Sequence, residues 1–163
     1  MDKALHGLLD RIANAVGEPT RGIDTDHGRW HLYECAIKAS VALDLLQQAV
    51  ALEEDRALAT TVVLRMLELV ADDRQADWIS QLAPDNRTYS EKRAAEIRIL
   101  RRAKAGELAA GTIAEEIAGW TDWLQIRLAE AMNSRDGLSI VSAQGRTKRI
   151  RNTAAGRVKT LSA

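Results

Sequence analysis

The chain has 163 residues, of which 46% are hydrophobic and 28% charged, with 23 basic residues balanced by 23 acidic ones. This is globular composition on a chain long enough to bury a real core, and it excludes a disordered or collagen-like polymer. The single cysteine, Cys35, excludes an internal disulfide framework and suits a reducing compartment, so a cytoplasmic location is expected.

Two prolines and many Ala, Leu, Glu and Arg residues favour helices, and no run alternates apolar and polar as a strand would. The fold class expected is all-α. The opening residues Met1-Asp2-Lys3-Ala4-Leu5-His6 lack a basic region leading into an apolar core, so no secretory signal is expected. No uncharged stretch approaches the ~20 residues that a membrane span requires, so no membrane association is expected either.

A first helix is expected from Asp2 to Val16, with Leu5, Leu8, Leu9, Ile12 and Val16 on one face and Gly17 as its stop. After a loop through Pro19, a second helix opens near Asp26 and continues to Leu45, apolar on most sides. Glu53 to Val70 forms a third, with acidic residues in its first turn. Asp72-Asp73 breaks it, and a short helix follows through Trp78 to Leu82. Pro84-Asp85-Asn86 is a loop. A basic helix runs from Thr88 or Ser90 to Lys104 and ends at Gly106 or Gly111. Thr112 and Glu115 have the spacing of a capping box that opens a helix through Trp120 and Trp123. Two short segments close the chain, Arg135–Ala143 and Thr147–Leu161. Short helices joined by tight loops suggest hairpins within a single domain, residues 1–163.

The C-terminal part, residues 120–163, carries an internal pattern. Ile126-Arg127-Leu128-Ala129-Glu130-Ala131-Met132-Asn133 is followed, 24 positions after Ile126, by Ile150-Arg151-Asn152-Thr153-Ala154, with Leu138-Ser139-Ile140-Val141 between them. Asp122 precedes the first Ile-Arg pair. This resembles HEAT repeats, and more closely the leucine-rich-variant repeat. The resemblance implies helical hairpins stacked as an α-solenoid, a disposition to bind partners and no catalytic residue; an irregular helical bundle is the alternative. In such a repeat Asn133 takes the left-handed conformation at a helix end, and the arginines reach a neighbouring loop or carboxylate. Leucine-rich-variant proteins can carry an iron–sulphur cluster on a cysteine-rich segment, which a lone Cys35 cannot supply, so no cofactor is expected.

His27, His31 and Cys35 stand at i, i+4 and i+8, but at ~1.5 Å rise per residue the outer two lie about 12 Å apart along a helix, too far for one ion. His27 and His31 read as solvated surface residues beside Glu34 and Lys38, Cys35 reads as a small core residue, and no metal site is expected. Glu53-Glu54-Asp55, Asp72-Asp73 and Glu115-Glu116 read as helix-start or loop acids. Neither a phosphate loop nor a nucleophile elbow is present, so no enzymatic activity is expected. Trp120 and Trp123 read as core packing or as aromatic anchors for a partner.

Charge gives the strongest functional signal. After Asp136 there is no acidic residue, whereas Arg146, Lys148, Arg149, Arg151, Arg157 and Lys159 are basic, leaving 17 basic against 23 acidic residues upstream. On the last helix Ile150, Ala154, Val158 and Leu161 form an apolar stripe opposite Lys148, Arg149 and Lys159. Arg98, Arg101 and Arg102 form a second basic cluster. The function expected is a non-catalytic interaction module that binds a protein partner through these cations. The alternative is a nucleic-acid-binding helical subunit of a ribonucleoprotein or regulatory complex.

Overall fold

The computed structural model describes residues 2–161, and these contain helices and turns but no strand. The chain forms two compact units that divide between Ala94 and Ala95.

In the first unit, α1 (Lys3–Val16) starts where the Asp2 carboxylate accepts the Ala4 N–H at 3.1 Å. Its Leu5, Leu8, Leu9 and Ile12 are buried, as their spacing dictates. It stops at Gly17, whose φ of 75° is left-handed, and the Glu18 N–H turns back to the Ala13 carbonyl at 3.0 Å. α2 (Asp26–Ala39) is capped by Thr25, which accepts the Gly28 N–H at 3.1 Å. Gly28 is required here, because a Cβ at that position would overlap the Gly22 carbonyl.

The helix expected to continue to Leu45 ends instead at Ala39. The Ser40 and Val41 N–H groups fold back onto the Ile37 and Ala36 carbonyls, and Ser40 and Ala42 adopt φ of 54° and 56°. The chain thereby turns into α3 (Leu43–Leu52), which packs on α1. α4 (Arg56–Leu69) begins later than expected, because Asp55 is its cap and accepts the Ala57 and Leu58 N–H groups. A 3-10 turn at Asp72–Arg74 leads into α5 (Gln75–Ile79), and a second at Pro84–Asn86 leads into α6 (Arg87–Lys104). Leu32, Tyr33, Leu46, Val62, Met66 and Trp78 fill the interior of this unit.

The second unit comprises the end of α6, α7 (Ala110–Glu116), α8 (Asp122–Ala131), α9 (Arg135–Gln144) and α10 (Lys148–Thr160). Thr112 is not a cap, since α7 already starts at Ala110 without a side-chain cap. α7 also stops short of the tryptophans; a 3-10 turn at Ile117–Gly119 separates it from α8. One core cluster joins Leu100, Ile113, Ile117, Trp120, Leu124, Leu128, Met132, Leu138, Val141, Ile150 and Ala154. α7 packs on α9, α8 on α10, and α9 beside α10.

The internal pattern has a different register from the one that the Ile-Arg pairs suggest. α8 and α10 are capped by Thr121 and Thr147, each accepting the N–H three residues on, Leu124 at 3.3 Å and Ile150 at 3.2 Å. Aligned by these caps, Ile150-Arg151 corresponds to Leu124-Gln125, not to Ile126-Arg127. Gln125 and Arg151 then play one role. Gln125 donates to the Trp120 carbonyl at 3.1 Å and Arg151 to the Arg146 carbonyl at 3.3 Å, in each case the residue just before the cap. Asn133 does not adopt a left-handed conformation; the chain leaves α8 through an extended Met132.

Candidate functional site

The six cations of the C-terminal segment separate into two groups. Arg146 is half-exposed but engaged: it pairs with Asp122 at 3.1 Å and donates to the Trp120 carbonyl at 2.7 Å and the Ala118 carbonyl at 3.2 Å. Arg151 donates to the Gly145 carbonyl at 2.7 Å. Arg157 reaches the end of α8, donating to the Glu130 carbonyl, to the Met132 carbonyl at 3.1 Å and to Asn133 Oδ1 at 3.1 Å. The last carbonyls of a helix have no partner within it, so these bonds give the guanidinium a structural task. Lys148, Arg149 and Lys159, in contrast, are exposed and pair with none of the described residues.

The apolar stripe behind them is seated as expected for Ile150, Ala154 and Val158, while Leu161 remains exposed. Of the second basic cluster, on the last turns of α6, Arg98 and Arg101 make interactions of their own and Arg102 is exposed.

Beside Arg149 lies a groove of about 350 Å³. Trp123, Ile126 and Ile150 give it an apolar floor, and Asp122, Glu130 and Arg149 stand at its edge. The two tryptophans have different places. Trp120 is buried in the core, whereas Trp123 is half-buried in the groove, with the Arg127 guanidinium 5.8 Å from its ring centre. This ring contact joins residues one turn apart on α8.

The first unit contains polar groups that the sequence did not single out. Glu53 accepts from Arg29 Nε at 2.9 Å, from the Tyr33 hydroxyl at 2.9 Å and from the Asp55 N–H at 3.1 Å. Its side chain is 1% exposed and that of Arg29 11%. Burial, the Glu53 charge and the hydrogen bond to it push the Tyr33 phenol above the ordinary tyrosine range, against the pull of Arg29. A larger cavity of about 630 Å³ lies nearby, lined in part by Glu53, Leu82, Asn86 and Arg87. Two of its charged walls serve the fold: Glu53 is held by Arg29 and Tyr33, and Arg87 donates to the Leu82 and Ser80 carbonyls, each at 2.8 Å; Glu54 and Arg56 line it as well. The only signal for Glu53 in the sequence was an acidic triplet, and Asp55 alone of that triplet is a helix-start acid. Cys35, read as a core residue, is only partly buried and lies 3.8 Å from His31 Nε2.

Comparison with family models, with curated proteins and with solved structures finds no match. Among the described residues no helix is long and apolar enough to cross a membrane.

Proposed function

We propose that this chain is a non-catalytic helical module of the cytosol that binds an acidic segment of a protein partner across the exposed face of α8 and α10. The observation that carries the reading is the Trp123 groove with the unpartnered Arg149 at its edge, on the same helix as the exposed and unpartnered Lys148 and Lys159. An apolar anchor flanked by carboxylates matches both halves of that surface. Burial of the anchor supplies affinity, and the cations supply orientation and rate of encounter. The HEAT-like part of the reading takes α9–α10 as a packed hairpin with α7 and α8 stacked against it. It is supported by the packing of α7 on α9 and α8 on α10, first helix on first and second on second.

Panning a displayed random-peptide library against the protein tests this. Acidic peptides bearing an aromatic or aliphatic anchor should be enriched, and binding should be lost in Trp123→Ala and in the triple variant Lys148→Glu, Arg149→Glu, Lys159→Glu. No enrichment, or peptides held equally by the triple variant, would overturn it. So would tight, salt-steep binding of mixed-sequence RNA or DNA by this face with no peptide enriched.

A further inference from the structure

The turn between α1 and α2 brings together three groups that are separate in the sequence. Gly17, in its left-handed conformation, ends α1 and turns the chain so that Glu18 approaches the exposed side of α2. There Glu18 Oε2 lies 3.8 Å from His31 Nε2, and Cys35 Sγ, one turn further along α2, lies 3.8 Å from the same nitrogen. The carboxylate, imidazole and thiol donor atoms all fall within 4.8 Å of one another. His27, one turn before His31, is not part of the group.

We propose that Glu18, His31 and Cys35 bind a borderline-soft divalent cation of the Zn²⁺ class. The proposal is independent of the partner surface on the second unit. The donor set, one thiolate, one imidazole and one carboxylate, is one that zinc accepts. Both distances to the imidazole nitrogen, 3.8 Å each, lie close to what zinc needs, while the carboxylate and thiol, within 4.8 Å, have to draw together. With zinc bonds of about 2.0–2.3 Å, the edges of a tetrahedral shell are about 3.3–3.8 Å. The carboxylate and imidazole, at 3.8 Å, are too far apart for a good hydrogen bond yet within a small rotamer adjustment of such an edge. Coordination through Nε2 requires the imidazole tautomer with its proton on Nδ1. The thiol must release its proton to solvent as the metal–sulphur bond forms. Partial desolvation and the Glu18 carboxylate push the Cys35 thiol up, so without a cation the site favours the neutral thiol. With three protein donors, the fourth position falls to water. The side chains of His31 and Glu18 are 63% and 38% exposed, so the ion can enter without opening the fold.

The test uses the full chain, purified without a polyhistidine tag and treated with chelator, then titrated with Zn²⁺ against a chromophoric competitor and separately with Co²⁺. One equivalent of Zn²⁺ should bind and raise Tm, and Co²⁺ should produce a thiolate-to-metal charge-transfer band. Cys35→Ser should abolish that band. His31→Ala and Glu18→Gln should each weaken Zn²⁺ by no less than the roughly 10–100-fold that loss of even an outer-shell partner costs. His27→Ala should leave affinity unchanged. Exposure of His31 and Glu18 keeps these variants folded, which circular dichroism checks. Absence of Zn²⁺ binding at micromolar concentration, or binding unchanged in His31→Ala and Glu18→Gln, would overturn the proposal.

Discussion

The Glu53 carboxylate takes three donors in a place where its side chain is 1% exposed, so the effect of removing its counter-charge has a definite sign. Arg29→Met should destabilise the protein by about 3–5 kcal/mol in urea unfolding, because a buried charge is left uncompensated. Tyr33 predicts a pH effect. Its folded-state pKa is raised, so its contribution is complete below the unfolded tyrosine value of ~10 and is lost as pH rises above it. Denaturant unfolding from pH 7 upward should show stability falling above that value, with a shallower fall in Tyr33→Phe; equal slopes would contradict the assignment. Gly28→Ala should cost about 1–3 kcal/mol, since the obstacle is the Gly22 backbone carbonyl rather than a flexible side chain. None of these three roles was legible in the sequence. Arg29 and Glu53 are 24 residues apart, and nothing local distinguishes a buried ion pair from two surface charges.

At the scale of elements, helices were legible wherever an apolar stripe coincided with a capping residue, as for α1 between Asp2 and Gly17 and for α10 after Thr147. The α2–α3 break was not. It is made by Ser40 and Ala42 in left-handed conformations, which neither residue type announces, and it is held by the packing of α3 on α1. The amphipathic character of α10 was equally legible, but the division of its cations was not. Whether an arginine there is structural depends on which carbonyls the ends of earlier helices leave open, 25 to 28 residues upstream in the case of Arg146 and Arg157. The division is testable by thermal or urea unfolding. Arg157→Ala should destabilise by about 1.5–3 kcal/mol through loss of charged hydrogen bonds, while Lys159→Ala should change stability by less than about 0.5 kcal/mol. Equal effects would remove the distinction between the two groups.

For the whole molecule, zero formal charge conceals an acidic chain with a basic end, and only part of that basic end is available to a partner. This limits what the surface can do. Three unpartnered cations on α10 neutralise at most about three phosphates, so duplex DNA bound through α10 alone should show a log–log salt slope no steeper than about −3. A slope near −6 would mean that further cations join them, either Arg146, Arg151 and Arg157 leaving their carbonyls or the basic end of α6. The central claim is that Arg149 beside the Trp123 groove, with Lys148 and Lys159 on the same helix, receives an acidic protein segment. Calorimetric titration of a panned acidic peptide into the native chain and into the triple charge-reversal variant tests it most directly. Affinity should fall roughly tenfold or more, as the loss of three exposed charge pairs implies, with Tm unchanged. Equal affinity in the two proteins would contradict it.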